Sequence, residues 1–273
     1  MNIRMNNRTG YTERKQRLIE IFDDTQQYYR ENRQLSGAVK ESKIGTKLYE
    51  ADEYPEISSD TEQNCLVTIT SQKTFEAAMQ IHEDHPDWKI TVLNFASATN
   101  PGGGVKTGSS AQEESLCRCS TLYPTLTLDW LWDQYYQKNR NAHDNLHSDT
   151  CIYSPGVVII KTDDSFPVRM EEKDWVTVDV ISCAAPNLRK NPGTVHIPEY
   201  GKRAEITADE LYQLHLARAK HILHIAAANN TDALVLGAFG CGAFQNDPTV
   251  VAKAYADALK EYRQYFKIIT FAV

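Results

Sequence analysis

The chain has 273 residues, of which 41% are hydrophobic and 24% charged, a balance that is typical of a folded globular protein and excludes a disordered one. Its net charge of −7 argues against binding to duplex DNA or RNA, because such proteins neutralise many phosphates with clustered Lys and Arg. The first ten residues are polar, and no apolar run is long enough to span a membrane, so we expect neither a signal peptide nor a membrane anchor.

The cysteines indicate neither a disulfide framework nor a metal site. No two of them have C-x-x-C spacing, and none has a Cys or His partner at zinc-finger spacing. Several lie inside apolar runs, where a reduced cysteine behaves as a small core residue. We therefore expect no metal and a reducing compartment, the cytoplasm.

The N-terminal quarter of the chain divides into two parts. An apolar stripe that includes Leu18 and Phe22 predicts a helix, which starts near Thr12. Residues 33–64 are polar and turn-rich, and Pro55 and Ser58 break any regular pattern there. This second part is expected to connect elements or to pack against the rest of the fold.

Strands and helices alternate in the remainder of the chain, which predicts an α/β layered fold with a largely parallel or mixed sheet. A capping box at Thr207 and Glu210 predicts the start of the longest helix in this part of the chain. We see no internal repeat and no linker, so we expect one domain. The predicted strands are 65–70, 89–95, 152–154, 156–160, 175–183, 233–238 and 267–273, and the predicted helices are 74–85, 112–123, 126–136, 207–229 and 248–266.

A glycine-rich loop follows the second of these strands. It contains Asn100, Pro101 and the triplet Gly102 to Gly104, and a bare triplet of this kind is usually a flexible turn. After seven intervening residues, however, Gln112, Glu113 and Glu114 open a helix, where the helix dipole tolerates negative charge. The coincidence indicates a site with two adjacent carboxylates.

A second glycine-rich loop follows the strand at 233–238. Gly240 and Gly242 let the backbone approach a ligand closely, and its N–H groups are suited to hold a diphosphate. The spacing of the glycines does not fit the dinucleotide-binding pattern G-x-G-x-x-G. The aromatic residues Phe239 and Phe244 are either core residues or a surface for a base or ribose.

Together these residues resemble the signature of poly(ADP-ribose) glycohydrolases, specifically the compact bacterial type built on a macrodomain. The resemblance covers residues 10–273 and is specific, because the triplet, the spacing and the acidic pair must coincide. It implies a macrodomain-like three-layer α/β/α fold with a mixed central sheet. One domain is expected over 1–273, with 1–64 as an N-terminal helical extension packed on it.

The resemblance also implies roles for the residues of both loops. Glu114 matches the catalytic acid, Glu113 matches the carboxylate that holds the ribose hydroxyls, and Gln112 helps to fix the catalytic loop. Phe239 is a further candidate for substrate contact. The other implied binding residues are Asn100, Gly102, Gly103 and Gly104 at the distal ribose, and Gly240, Cys241, Gly242 and Phe244 at the diphosphate and sugar.

The implied activity is hydrolysis of ribose–ribose O-glycosidic bonds of poly(ADP-ribose), which releases ADP-ribose without a metal or organic cofactor. Such a reaction passes through an oxocarbenium-like state and needs a proton on the leaving oxygen. One carboxyl must therefore hold a proton near neutral pH, which burial beside a second carboxylate promotes. Two alternatives stay open: a non-catalytic ADP-ribose reader, and a hydrolase of mono-ADP-ribosylated protein. We expect a monomer.

Other candidates are set aside on their chemistry. His215, His221 and His224 lie on the long helix without a carboxylate or cysteine partner, so we interpret them as solvated surface residues. Cys241 lacks a His partner that would make it a nucleophile. The aromatic run of Trp130, Trp132, Tyr135 and Tyr136 is interpreted as core packing, and Lys106 and Arg118 as solvated charges near the first loop.

Overall fold

Seven strands form one mixed sheet in the order β1-β4-β5-β3-β6-β7-β2 in the computed structural model, which describes residues 2–58, 63–193 and 204–273, with side chains from residue 10 onward. β4 runs antiparallel to β1 and β5, and every other neighbouring pair is parallel. The strands are β1 (Lys47–Tyr49), β2 (Leu66–Thr70), β3 (Ile90–Phe95), β4 (Cys151–Ile159), β5 (Val176–Cys183), β6 (Ala233–Gly237) and β7 (Ile268–Ala272).

Helices cover both faces of this sheet. Successive side chains of a strand point to opposite faces, so Val92 packs with Phe75 of α3 on one face, and Leu93 packs with Ile222 of α8 on the other. The helices are α1 (Asn2–Glu31), α2 (Arg33–Gly45), α3 (Thr74–Asp84), α4 (Gln112–Cys119), α5 (Tyr123–Leu126), α6 (Asp129–Leu131), α7 (Gln137–Ala142), α8 (Ala208–Ala228) and α9 (Pro248–Tyr262). The macrodomain-like α/β fold with a mixed central sheet is confirmed.

The prediction of an irregular segment over 33–64 is wrong in its first part. The side chain of Asn32 accepts a hydrogen bond from the backbone N–H of Leu35 and caps α2. β1 then joins the edge of the sheet, where Lys47 pairs with Tyr153. These elements were missed because α2 carries few apolar residues and β1 has only three residues, so neither shows a clear period. Ser59 and Asp60 lie outside the described residues.

Two other predicted elements differ in detail. The helix expected over 126–136 begins only at Asp129 and continues to Ala142, as α6, a π-helix at Trp132–Tyr136 and α7 in direct succession. The two strands expected at 152–154 and 156–160 are a single strand, β4, whose register shifts between Ser154 and Val157. Gly156 has a φ of 65° within that irregularity, so the chain bends there without ending the strand.

The parallel strands place three loops at one edge of the sheet. The post-β3 loop (96–104), the post-β5 loop (184–189) and the post-β6 loop (238–247) follow neighbouring strands, because β3 lies between β5 and β6. Ligands of open α/β sheets bind at this carboxyl edge. Among the helices of the described ranges, none is long and apolar enough to cross a membrane.

Candidate active site

The glycine triplet makes the tight turn that closes the post-β3 loop. Gly102 and Gly103 have φ values of 70° and 57°, a left-handed conformation that side chains other than glycine rarely adopt. A Cβ atom on Gly103 would lie 2.5 Å from Oε1 of Glu114 and 3.0 Å from Oε2 of Glu113. Both carboxylates therefore converge on the backbone of Gly103, and only glycine leaves room for them.

The acidic pair is buried at the start of α4. Glu113 is 3% exposed and Glu114 is 7% exposed. Oε2 of Glu113 accepts the backbone N–H of Ser97 at 2.8 Å, and Oε1 of Glu114 accepts the backbone N–H of Gly104 at 2.8 Å. Within the part of the chain that the structure describes, Oε2 of Glu114 is buried without a hydrogen-bond partner. This oxygen is the atom of the pair that the protein leaves unsatisfied.

Burial and charge act together on Glu113. Loss of hydration raises the pKa of its carboxyl well above the ordinary value, and the neighbouring charge of Glu114 raises it further. Hydrogen bonds from Ser97 and Asn94 oppose the increase but do not cancel it. The Nδ2 group of Asn94 lies 3.5 Å from Oε1 of Glu113 and 2.9 Å from the Ser182 hydroxyl. Burial and the second carboxylate therefore favour one bound proton in the acidic pair.

Gln112 fixes the loop to the end of β3. Its Oε1 accepts the backbone N–H of Phe95 at 2.9 Å, and its Nε2 donates to the carbonyl of Leu93 at 2.7 Å. Asn100 acts within the loop, where its Nδ2 donates to the carbonyl of Gly103. These two amide side chains hold the turn in register with the helix that carries the carboxylates.

Helix α1 supports α4 from outside. The Thr25 hydroxyl donates to the carbonyl of Arg118 at 2.6 Å, and Gly108 approaches the backbone of Lys15 so closely that a Cβ would lie 2.5 Å from its carbonyl oxygen. The interpretation of Arg118 as a solvated charge is wrong: it is 2% exposed and its Nη1 donates to the carbonyl of Ser109 at 2.6 Å. Lys106 is exposed.

The post-β6 loop lies beside the post-β3 loop. Phe239 is fully buried and packs edge to face on Phe95, with ring centroids 5.6 Å apart, so its side chain is part of the core. Phe244 is only partly buried, and the Arg189 guanidinium lies 5.6 Å from its ring centroid. Gly242 has open space around the position of a Cβ. Burial raises the pKa of the Cys241 thiol, which disfavours the thiolate that a nucleophile needs.

Asn246 connects this loop to the post-β5 loop. Its Nδ2 donates to the carbonyl of Pro186 at 2.7 Å and to that of Gly240 at 3.0 Å. Its Oδ1 lies 2.9 Å from Nε2 of His215, so His215 must donate from Nε2. Gly240 itself has a φ of 76°, and a Cβ there would meet Asn246 at 2.6 Å.

The interpretation of the α8 histidines as solvated is therefore wrong for two of them. His215 and His221 are fully buried. The ring nitrogens of His221 lie 2.8 Å from the carbonyl oxygen of Asp149 and 3.0 Å from that of Glu53, and His224, which is partly exposed, has Nε2 2.7 Å from the carbonyl oxygen of Pro55. Sequence reasoning missed the His215–Asn246 contact because 31 residues separate the two side chains. The only signal was the position of His215 near the apolar stripe of α8.

The fold and the site together define a class of protein, a macrodomain-like α/β hydrolase with a buried acidic pair between glycine loops. The model of the microbial-type PARG catalytic domain matches residues 15–162, more than half of the chain. No curated protein sequence matches the chain closely.

Solved structures of bacterial poly(ADP-ribose) glycohydrolases are similar to this chain over most of its length. The poly(ADP-ribose) glycohydrolase (PARG) of Thermomonospora curvata is 28% identical over 94% of this chain and 93% of its own, with a TM-score of 0.78. The same enzyme bound to the inhibitor ADP-HPD gives 29% identity and a TM-score of 0.76, over 94% of this chain and 92% of its own. The PARG of Deinococcus radiodurans in complex with ADP-ribose is 34% identical over 86% of this chain and 90% of its own, with a TM-score of 0.71. The chain belongs to the microbial-type poly(ADP-ribose) glycohydrolase family, a family of glycosidases.

Proposed function

We propose that this chain hydrolyses the ribose–ribose bonds of poly(ADP-ribose) and that Glu114 is its general acid and base. The observation that carries this assignment is the unsatisfied Oε2 of Glu114, buried beside a second carboxyl group in the described part of the chain. A buried acceptor without a partner costs free energy, which a polar substrate group relieves. Because Oε1 accepts the N–H of Gly104, the carboxyl group is held in place, and Oε2 is left for a hydrogen bond to the substrate.

The reaction then follows from this geometry. The proton of the acidic pair passes from Oε2 of Glu114 to the leaving 2′-oxygen as the glycosidic C–O bond breaks and an oxocarbenium-like state forms. Water adds to the anomeric carbon and returns a proton to Glu114, so the acid is restored and one ADP-ribose is released. A diphosphate bound nearby disfavours two negative charges in the pair, which promotes the protonated state that the first step needs.

The other residues of the site would bind and orient the substrate. Glu113 would hold the ribose hydroxyls, and Gln112 would keep the loop fixed. Asn100, Gly102, Gly103 and Gly104 would line the distal ribose. The backbone of Gly240, Cys241 and Gly242 would cradle the diphosphate, with Phe244 above the sugar. The buried ring of Phe239 would support that loop from the core rather than contact the ligand.

We further infer that residues 1–273 act as a single domain, in which 1–64 pack on the rest, and as a monomer in the cytoplasm. The participation of β1 in the sheet supports one domain. All six cysteines are free, which suits a reducing compartment. The net charge of −7 argues against DNA or RNA as a partner. It is compatible with ADP-ribose, its polymer or ADP-ribosylated protein, because backbone N–H groups hold a diphosphate without side-chain charge.

The test uses the Glu114→Gln variant, which keeps the shape of the side chain and the bond from Gly104 but cannot donate the proton. We expect release of ADP-ribose from polymer to fall at least about a hundredfold, since general acid–base catalysis contributes on the order of 10²–10⁴ in rate. Binding of ADP-ribose, measured by calorimetry, should persist. Near-full turnover of the variant contradicts the role of Glu114. Parallel incubation with mono-ADP-ribosylated protein, with products separated by chromatography, identifies the preferred substrate.

A further inference from the structure

Arg140 of α7 is attached to the post-β3 loop. Its Nε donates to the carbonyl of Thr99 at 2.7 Å, directly before Asn100 in the chain. Its guanidinium carbon lies 4.6 Å from the ring centroid of Trp132. The hydrogen bond fixes the position of the guanidinium and the ring fixes its plane, so the side chain is held beside the proposed catalytic loop.

Trp132 differs from the other aromatic residues of its segment. Tyr135 and Tyr136 are 2% and 1% exposed and belong to the core, whereas Trp132 is 38% exposed. Its ring stacks on the ring of Tyr136, with centroids 6.4 Å apart. Trp132 is the first residue of the π-helix, and π-helical turns occur frequently at functional sites. The interpretation of this aromatic run as core packing therefore fails at Trp132.

The guanidinium of Arg140 has two terminal nitrogens, Nη1 and Nη2, besides the Nε that binds Thr99. Over the described ranges, neither Nη1 nor Nη2 donates a hydrogen bond, and Arg140 forms no ion pair with a carboxylate. A guanidinium carries five N–H donors in one plane, and that fork matches the oxygens of a phosphate. In a protein whose net charge is −7, this positive group attracts an anion to the post-β3 loop.

Arg140 contacts Thr99 of the post-β3 loop and Trp132, and within the described ranges it has no hydrogen bond or ring contact with the post-β6 loop that forms the proposed diphosphate cradle. That cradle adjoins β6, and its Phe239 packs on Phe95 at the end of β3. A different arginine, Arg189 of the post-β5 loop, lies beside the cradle, with its guanidinium 5.6 Å from the Phe244 ring centroid. Arg140 is thus available for a phosphate other than the one in the cradle.

We propose that Arg140, oriented by Trp132, binds the diphosphate of the ADP-ribose unit that follows the unit being released. This inference rests on the proposed function, because only a polymer presents a second diphosphate next to the cleaved bond. It assigns to this chain a subsite that increases affinity for polymer over free ADP-ribose. Lys106 follows the glycine triplet directly after Val105, and its Nζ lies 5.5 Å from the Tyr123 ring centroid. It adds a positive charge next to the post-β3 loop.

The experiment measures binding, so that it is independent of turnover. In the Glu114→Gln background, the dissociation constants of ADP-ribose and of a size-selected poly(ADP-ribose) oligomer are determined by fluorescence anisotropy. We expect Arg140→Ala and Trp132→Ala each to weaken oligomer binding roughly tenfold and to leave the ADP-ribose constant within about twofold, because one charge-assisted phosphate contact is lost. Trp132→Phe should retain most of the oligomer affinity.

Lys138→Ala is the matched control, because it removes the same charge from α7 at an exposed position paired with Glu50. It should change neither constant. Equal weakening of both ligands by Arg140→Ala would overturn the proposal and assign Arg140 only to support of the loop through Thr99. Unchanged oligomer binding in both variants would also overturn it. Failure of the proposed function is a separate result, the absence of ADP-ribose release by the wild-type protein.

Discussion

The backbone N–H of Gly104 donates to Oε1 of Glu114 at 2.8 Å, so the last residue of the glycine triplet holds the side chain of the acidic pair. The neighbouring Gly103 touches both carboxylates, because any Cβ at that position would lie within 3.0 Å of Glu113 and Glu114. The loop and the helix start are thus one structural unit. Their separation by seven residues in sequence is the span that the short 3₁₀ turn at Val105–Thr107 and the following residues need to return the chain to α4.

Gly103→Ala should abolish activity without unfolding the protein. The new methyl group forces Oε1 of Glu114 away from Gly104, and the φ of 57° adds strain for any residue with a Cβ. We expect ADP-ribose release to fall at least about a hundredfold, as for a displaced catalytic group, with a loss of stability on the order of 1–3 kcal/mol. Polymer turnover and chemical denaturation measure the two effects.

Gly37→Ala is the control for the added methyl group. Gly37 lies inside α2, and a Cβ there would meet nothing within 4 Å. Replacement of glycine by alanine in a helix stabilises by about 0.5–1 kcal/mol, so this variant should be at least as stable as the wild type and fully active. Loss of activity in both variants would show that the effect of Gly103→Ala is not specific to the site.

The sequence was sufficient to predict strands β2 to β7 of the sheet, although β4 was divided in two, and to find the acidic pair. Strands such as β3 and β6 are mostly apolar because both of their faces are covered, and that pattern is visible without a structure. The triplet and the pair were also visible, since their chemistry lies within 13 consecutive residues. Contacts between distant residues were not. Asn246 and His215 meet only after β6 and α8 pack together, and no local pattern encodes that approach.

The remaining differences between prediction and structure concern which side chains are buried. Arg118 and His215 are polar residues that a sequence places at the surface by default, yet each is buried with its hydrogen bonds directed to backbone or amide groups. Trp132 departs from the default in the opposite direction, as an aromatic residue left at the surface. α2 was missed because tertiary contacts rather than an apolar stripe stabilise it, as shown by Ser42, whose hydroxyl donates to the carbonyl of Pro155.

Glu113→Gln should raise stability at alkaline pH. The pKa of Glu113 is raised in the folded protein, so the folded state binds this proton more tightly than the unfolded chain. Its contribution to stability is full below the unfolded pKa and is lost as pH rises toward the folded pKa. Gln resembles the protonated form and does not titrate. We expect the Tm of the variant to exceed that of the wild type at pH 8 by at least about 2 °C, and the excess to shrink at pH 5.

Thermal unfolding followed by circular dichroism at both pH values measures this effect. Glu41→Gln is the control, because Glu41 is exposed on α2 and its replacement should leave the difference between pH 8 and pH 5 as in the wild type. If Glu113→Gln and wild type lose stability in parallel between these pH values, Glu113 does not carry the buried proton.

The His215 imidazole should make the protein sensitive to acid. Burial lowers its pKa to about 4, so the unfolded chain binds the proton more tightly than the folded state. Stability is therefore full above pH 6.5 and is lost as pH falls from 6.5 to about 4, by an amount on the order of 3 kcal/mol. His215→Gln should have a flatter dependence over this range. Urea unfolding at several pH values measures the free energy, and His85→Gln, at an exposed position, should keep the wild-type dependence.

Asn246→Asp should weaken ligand binding at the post-β6 loop without altering the acidic pair. The aspartate loses the amide donor to Pro186 and Gly240 and brings a carboxylate toward the proposed diphosphate cradle. We expect the affinity for ADP-ribose to fall at least about tenfold, because a buried donor is removed and a like charge faces the phosphates. The stability should fall by about 1–3 kcal/mol, the cost of leaving buried partners unsatisfied.

Calorimetric titration with ADP-ribose at two ionic strengths divides this effect into its two causes. Charge repulsion weakens with salt, whereas the lost hydrogen bonds do not respond to it. Asn246→Ala removes the amide without adding a charge, so its affinity should respond to salt as that of the wild type does and should lie between those of wild type and Asn246→Asp. Gln80→Ala on the exposed surface of α3 should leave binding unchanged. Wild-type affinity in Asn246→Asp would show that the diphosphate does not bind at the post-β6 loop, because a carboxylate next to Gly240 and a diphosphate bound there would repel each other.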